Sequence, residues 1–338
     1  MHRFCFIAFS LLLLLLVVPS SPASSHTLKI TVVDVGSGSC SIAQLPGDEG
    51  IVIFDAGYWR GKRCIQALDA LIGNKKIALI VLSHSDADHI GDAASILANY
   101  KVETILRTGV KRNSKTWRDF DQAVRKAERT GTKVYDASQS SLPGLEFSFG
   151  EASITIIYGK QRWDGEHLSS SEARNAVSIV AKLEYAGRAV LFPGDAVGRK
   201  PGAANDSCSY SEKEMVLNNA VLSLDADILL APHHGSDSSS SSCFIKAVSP
   251  EYVIFQSGHR YGHPSLSAKK RYTQHGVPIS HIFRTDFKDA EDSPYDWEDS
   301  RYEACKDLPG DDDIGITITN KGEPLVEYRT PERDNCSL

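Results

Sequence analysis

The segment Ser83-His84-Ser85-Asp86-Ala87-Asp88-His89-Ile90-Gly91 directly follows the apolar run Ile77–Leu82. Four potential metal ligands, His84, Asp86, Asp88 and His89, fall within six residues. A short, wholly apolar run of this kind predicts a strand covered on both faces. The ligands therefore sit in the turn between a buried strand and the helix predicted over Ile90–Tyr100. A chain that needed only stability would rarely gather them there. Imidazole nitrogen and carboxylate oxygen suit Zn²⁺, and also Mn²⁺ or Fe²⁺. The cluster points first to a metal-dependent hydrolase. Asp92 is expected either to orient a ligand or to favour the start of the helix.

The N-terminus sets the compartment. Met1-His2-Arg3 precedes an apolar run from Phe4 to Val18, then Pro19-Ser20-Ser21-Pro22-Ala23. This order predicts a secretory signal peptide over residues 1–23, cleaved near Ala23. A membrane anchor is the alternative, but the run is short for a span. Secretion without stable membrane association is the expectation. Cys40, Cys64, Cys208, Cys243, Cys305 and Cys336 remain after cleavage, none in a CxxC pair. An even count in an oxidising compartment predicts up to three disulfides, with the pairing open. Asn205-Asp206-Ser207 and Asn335-Cys336-Ser337 fit the glycosylation acceptor pattern. The formal net charge of the whole chain is −6, which provides no global attraction to nucleic acid or anionic lipid.

Predicted strands cover Leu28–Val35, Ser41–Leu45, Ile51–Phe54, Val102–Leu106, Lys133–Tyr135, Ser153–Ile157, Ala176–Glu184, Ala189–Phe192, Asp227–Leu230, Val253–Phe255, Pro278–Phe283 and Ile314–Thr319. Helices are expected over Arg63–Ile72, Lys115–Arg129, Glu212–Leu224 and Leu266–Gln274. The pattern is α+β, with most ligand candidates at strand ends, where a sheet fixes the roots of the loops. One principal domain is expected over residues 24–320, followed by a tail over 321–338. Lys160–Arg174 reads as a loop. The serine-rich stretch Ser236–Ser242 reads as a flexible rim, or as an active-site lid or substrate loop. Residues 286–313 read as an acidic surface insertion, without the pattern of a calcium loop.

Further candidates follow in order: Asp195 after Phe192-Pro193-Gly194, the pair His233-His234 in Ala231-Pro232-His233-His234-Gly235-Ser236, and His263 in Tyr261-Gly262-His263-Pro264-Ser265. Together with Val33-Asp34-Val35-Gly36, Phe54-Asp55-Ala56-Gly57 and Arg284-Thr285-Asp286, this ordered set resembles the metallo-β-lactamase superfamily. The likeness is strongest to the hydrolase domain of competence proteins of the ComEC/Rec2 type, over most of residues 28–319. The resemblance implies a four-layer αββα sandwich and one or two ions, Zn²⁺ first and Mn²⁺ second. It places His84 and Asp86 at one metal position. Asp88 and His89 fall at the other, with Asp195 as the bridge. His233 or His234 completes the first position and His263 the second. Two departures stand out. Arg174-Asn175-Ala176-Val177-Ser178 occupies the region where many superfamily enzymes carry another histidine. Gly36-Ser37-Gly38-Ser39 replaces the branch's usual Gly-Gln-Gly-Asp.

The catalytic candidates are Asp88, His233, His234 and His259: Asp88 through the metal it holds, one of the histidines in proton transfer. The resemblance implies a phosphodiester substrate, DNA or RNA, with no protein partner required. Candidate phosphate contacts are Lys111, Arg112, Lys115, Arg260, Lys269, Lys270 and Arg271. Candidate stacking residues are Trp117, Tyr261 and Tyr272. Two other readings stand beside this one: a lactone or small-ester hydrolase, and a non-catalytic secreted binding protein stabilised by its metal.

Overall fold

The computed structural model describes residues 26–47, 49–58, 60–204, 206–258, 261–285 and 312–330. The expected signal peptide, His259, Arg260, Cys305, Cys336, the two candidate acceptor asparagines and nearly all of the expected acidic insertion lie outside the described residues.

Two sheets form the centre. The first contains β1 (Thr27–Val32), β2 (Ser41–Gln44), β3 (Ile51–Phe54), β4 (Ile77–Val81), β5 (Val102–Arg107) and β6 (Lys133–Asp136). The second contains β7 (Glu146–Phe149), β8 (Ala152–Tyr158), β9 (Val180–Tyr185), β10 (Arg188–Phe192), β11 (Ile228–Leu230), β12 (Tyr252–Phe255) and β13 (Ile282–Arg284). The last strands, β14 (Ile314–Thr319) and β15 (Pro324–Tyr328), return to the first sheet, whose order is β15-β14-β1-β2-β3-β4-β5-β6. The second runs β13-β12-β11-β10-β9-β8-β7. Each sheet is antiparallel on one side and parallel on the other. The parallel runs are β3 to β6 and β10 to β13.

The residues dictate the layering. β3 and β4 are buried along their whole length, as a strand covered on both faces requires. Between the sheets lie Leu28, Ile30, Val52, Phe54, Val81, Ile154, Leu183, Val190 and Phe192. Phe54 stacks flat on Phe192 across that interface, with ring centroids 3.7 Å apart. The outer face of the first sheet packs Ile53, Ile80 and Ile105 on α1 (Arg63–Ile72), α3 (Ala93–Asn99) and α4 (Lys115–Arg129). The outer face of the second packs Leu191, Leu229 and Val253 on α6 (Tyr210–Leu217), α7 (Ser242–Val248) and α8 (Leu266–Gln274). Three apolar interfaces separate four layers, so the αββα sandwich is the observed architecture.

Several local expectations change. The helix predicted over Ile90–Tyr100 is two pieces, α2 (Ala87–Ile90) and α3. Between them Asp92 accepts the Ile65 N–H and so caps the neighbouring helix α1; burial lifts its carboxyl to about 6. The loop predicted over Lys160–Arg174 contains most of α5 (Ser170–Asn175), started by a capping box between Ser169 and Glu172. The expected C-terminal tail supplies β15, held in register by Ile314–Ile318. Disulfides join Cys40 to Cys64 and Cys208 to Cys243. Such bridges fit an oxidising compartment. Among the described residues no helix is long and apolar enough to cross a membrane.

The serine-rich stretch is neither rim nor lid. Ser238, Ser239, Ser240 and Ser241 are buried. Glu212 accepts the N–H groups of Ser240 and Ser241, at 2.7 and 2.8 Å. Arg199 and Arg271, both buried, donate to the same Asp237 oxygen. Arg271 also donates to the Ser240 and Ser239 carbonyls, and Tyr272 to the Ser240 hydroxyl. Arg271, Tyr272 and the buried Lys269 thus belong to the interior and not to a nucleic-acid surface.

Burial pushes the Glu212 carboxyl up to about 7 from an ordinary value near 4.5, against the hydrogen bonds from Ser241 and Ser240 and the charge of Arg271. The folded state then holds this proton more tightly than the unfolded state. Stability falls as pH rises from about 4.5 to about 7 and stays lower above, by a few kcal/mol at most. Glu212→Gln should flatten this part of the profile in denaturant unfolding at pH 5 and pH 8. Equal pH dependence in the two proteins would refute the assignment.

Candidate metal centre

The parallel halves of both sheets end at one edge, and the candidate residues leave from there. Asp55 follows β3, Ser83 and His84 follow β4, Asp195 follows β10, and His233 and His234 follow β11. Buried Asp55 has a left-handed backbone, φ 57°. One carboxylate oxygen accepts the Ser83 N–H at 2.7 Å. The other accepts the Ser83 hydroxyl at 2.9 Å and lies 2.7 Å from His89 Nδ1. Asp55 therefore ties two strand ends together and fixes the His89 ring, the role that a carboxylate behind a metal-binding imidazole commonly takes.

His233 and His234 are both left-handed, at φ 51° and 53°. Consecutive residues in this region store on the order of 1–3 kcal/mol each. The turn is held from outside: His233 N–H donates to the Gly194 carbonyl at 3.0 Å, and the Ser239 hydroxyl to the Pro232 carbonyl at 2.7 Å. His234 Nδ1 lies 2.6 Å from the Gln256 carbonyl, which makes that nitrogen the donor.

These anchors aim the remaining nitrogens at one point. His89 Nε2 and His234 Nε2 face each other at 3.1 Å. Asp195 Oδ1 lies 3.2 Å from the first and 3.6 Å from the second. His84 Nε2 is 3.7 Å from Asp195 Oδ2, and Asp88 Oδ2 is 3.9 Å from His234 Nε2. Both His84 Nε2 and Asp195 Oδ1 are buried without a hydrogen-bond partner. Two facing imidazole nitrogens can share one proton or one cation, and orphaned buried acceptors require the same. The donor set fits a divalent cation. His84, His89 and Asp195 form one group able to hold it, and Asp88, His89 and His234 another; the two share His89.

The electrostatics agree. Burial alone would lower His89, but Asp195 and Asp55 outweigh it and hold the ring well above its ordinary value. Burial would raise Asp195, but the surrounding imidazoles of His89, His234, His233 and His84 hold it well below the usual carboxylate range. His84 is lowered by burial and by the neighbouring His89.

Other predicted residues take different places. His233 Nε2 accepts from the Asn175 amide at 3.0 Å, and its Nδ1 donates to the Ser238 hydroxyl at 3.0 Å. Both its nitrogens are engaged, and Nε2 also lies 3.9 Å from Asp195 Oδ2, so it lines the cavity beside the cation groups without belonging to either. Asn175, in the region where the resemblance expects a histidine, supports His233. His263 lines the same cavity with a buried, unpartnered Nδ1, and burial lowers it to about 3. Asp86 lies outside both groups, with one carboxylate oxygen against Arg112 and Arg174. The cavity measures about 350 Å³; Asp88, Arg112, Asp195, His234 and Tyr261 are among its walls. Of the predicted phosphate contacts described, Arg112 alone lines it. Asp55, Ser83, Gln256 and Asn175 carried no assigned role in the sequence. Asp55 was the most accessible to find, since it ends the apolar strand Ile51–Phe54 just before Ala56-Gly57.

Comparisons with known proteins agree with this geometry. The profile of the "Metallo-beta-lactamase superfamily" matches residues 33–259. "ComE operon protein 3" of Bacillus subtilis (strain 168) is 23% identical over 291 residues, covering 78% of this chain and 33% of that protein. "Competence protein ComA" of Neisseria gonorrhoeae is 27% identical over 272 residues, covering 77% of this chain and 31% of that protein. The chain thus spans about a third of the length of these relatives. Among solved structures, the metallo hydrolase Igni18 from the archaeon Ignicoccus hospitalis KIN4/I aligns with 77% of this chain and 95% of its own. Its identity is 15% and its TM-score 0.44. The profile match spans more than half of the chain and includes the shared donor set, so the chain belongs to the metallo-β-lactamase superfamily, as a metal-dependent hydrolase.

Proposed function

We propose that this protein is a secreted phosphodiesterase that cleaves DNA or RNA with one tightly held divalent cation. One observation carries the reading. The nitrogens of His84, His89 and His234 surround the Asp195 carboxylate within 3.7 Å, and Asp195 and His234 line a cavity together with Arg112. An imidazole-rich donor set favours Zn²⁺, with Mn²⁺ second. His89 has one free nitrogen and can serve one ion at a time, so the two groups compete for it. A bound cation supplies Lewis acidity and lowers the pKa of a water molecule towards about 7.

The chain's own residues do the rest. Asp55 holds His89 in place, and Gln256 holds His234. His233, hydrogen-bonded on both sides, offers a neutral imidazole to the cavity wall. Nucleic acid as the substrate class is supported by relatives named for competence, and by "Recombination protein 2" of Haemophilus influenzae, 25% identical over 239 residues. The apolar N-terminal segment and the two disulfides support secretion.

The test is hydrolysis of single- and double-stranded DNA, RNA and bis(4-nitrophenyl) phosphate by metal-free protein reconstituted with Zn²⁺ or Mn²⁺. Turnover should require the cation, disappear with chelator, and return on its replacement. His84→Ala should be inactive. Absence of cleavage by folded wild-type protein with verified metal content would overturn the reading.

A further inference from the structure

A second cavity adjoins the metal centre, and the proposed reaction leaves it unused. It measures about 320 Å³, at the small end of the roughly 300–1,000 Å³ usual for small-ligand sites. Its position follows from the topology. β4, β5 and β6 are parallel, and the cavity opens beyond their carboxyl ends, where parallel strands commonly present ligand sites. Arg107 and Lys111 enter from the end of β5 and the connection after it, and Gln139 from the connection after β6. α4 lays Trp117 and Asp121 along one side. Gln161 reaches in from the connection after β8, in the other sheet.

One ridge separates the two cavities. His84 and Ser85 line the second, while the next residues, Asp86, Ala87 and Asp88, line the first. Lys111 and Arg112 divide in the same way. The Ser85 hydroxyl donates to the Val110 carbonyl at 2.6 Å and ties the two loops together. A substrate lying across this ridge puts its reacting linkage at the metal centre and the neighbouring group in the second cavity.

The lining decides what that group is. Arg107 donates to Asp136 and to Asp121, at 2.8 Å each, and Arg125 donates to Asp121 at 2.8 Å. Burial would raise Asp121, but Arg125 and Arg107 hold its carboxyl below its ordinary range. Two guanidinium groups therefore cancel two carboxylates. Lys111 and Glu128, also in the lining, offset each other. With no net charge, the cavity is a poor site for a second phosphate. What it presents is directional hydrogen bonding and an aromatic surface. Gln139 and Gln161 are exposed, and each amide both donates and accepts. Trp117, half-buried in the first turn of α4, supplies the indole. A nucleobase is planar, uncharged and edged with donors and acceptors, and unpaired bases stack on aromatic side chains. A base within a duplex reaches such a cavity only by leaving the stack.

We infer that the second cavity is a nucleobase subsite, which receives the base of a nucleotide adjoining the scissile phosphate, stacked on Trp117 and held at its edge by Gln139 and Gln161. This rests on the nucleic-acid reading and adds to it a preference for an unpaired base.

The experiment uses the dinucleotide thymidylyl-thymidine and its two singly abasic versions, with Zn²⁺- or Mn²⁺-loaded protein and products separated by chromatography. In the wild type, loss of one of the two bases should raise KM about tenfold to hundredfold, the effect of a lost base–aromatic stack. Trp117→Ala, and the double variant Gln139→Ala with Gln161→Ala, should lose most of this preference, with KM for the intact and abasic dinucleotides within about threefold, because a contact already removed cannot be removed again. A single-stranded oligonucleotide should be cut in preference to the same strand in a duplex, and that preference should shrink in both variants. Equal KM for intact and abasic dinucleotides in the wild type would overturn the subsite. So would a base preference that survives in both variants. Trp117 packs on the outer face of the first sheet; if Trp117→Ala does not fold, the glutamine double variant, at exposed positions, decides alone. Wild-type protein that cleaves bis(4-nitrophenyl) phosphate but neither dinucleotide nor oligonucleotide would instead overturn the nucleic-acid reading itself, and the subsite with it.

Discussion

His89→Ala should yield a folded protein that retains no tightly bound divalent cation and turns over substrate at least about a thousandfold more slowly, because the activated water goes with the metal. His89 Nε2 is the one atom common to both groups able to hold a cation. Its removal leaves neither group complete. The fold should survive, because Asp55 still accepts the Ser83 N–H and hydroxyl and so keeps β3 and β4 joined at the site. Asp55→Asn is the graded companion. It keeps the shape but weakens the acceptor behind His89 Nδ1, and such supports are commonly worth about 10–100-fold in metal affinity. Elemental analysis after gel filtration, together with turnover, checks both. A His89→Ala protein that retains a full equivalent of metal would place the metal centre elsewhere.

The sequence showed most clearly what depends on local pattern. β3 and α4 match their predicted bounds because each carries a complete signal: an unbroken apolar run in one, a serine cap and a well-formed apolar face in the other. The site was legible as an ordered set of motifs, and His84, Asp88, His89, Asp195 and His234 do converge. What escaped was whatever depends on a distant partner. The contacts of Asp86 with Arg112 and Arg174 come from remote elements. Asp92 sits beside the site in sequence yet caps a helix on the outer layer. The serines at 238–241 have the composition of a mobile loop. They are interior because Glu212 accepts the N–H groups of Ser240 and Ser241 and the buried Arg271 donates to the Ser239 and Ser240 carbonyls. β15 lacked a strong pattern of its own because only part of it is buried, and its order comes from pairing with β14.

Gly194→Ala should cost more than the same change at any open turn, because the two sheets meet there. Gly194 is left-handed, φ 53°, and a Cβ at this position would fall 2.4 Å from Ser83 Cβ and 3.2 Å from Ser178 Cβ. The left-handed backbone alone costs an alanine roughly 1–2 kcal/mol. Forcing a methyl into a packed contact adds about 1–3 kcal/mol. Together they predict destabilisation of roughly 2–5 kcal/mol. The functional loss should exceed what stability explains. Gly194 precedes Asp195, and its carbonyl accepts the His233 N–H. Relief of the clash pushes the Asp195 half of the site away from the Ser83 and His84 half, and a displacement of about 1 Å can cost about a hundredfold in turnover. Gly187→Ala is the control. Gly187 is also left-handed, φ 76°, but lies in the turn between β9 and β10 with nothing near its missing Cβ. It should lose only the backbone cost and keep its activity. Denaturant unfolding and kcat/KM on the two variants separate the effects. If they behave alike, the close approach of Gly194 to Ser83 has no part in aligning the metal ligands.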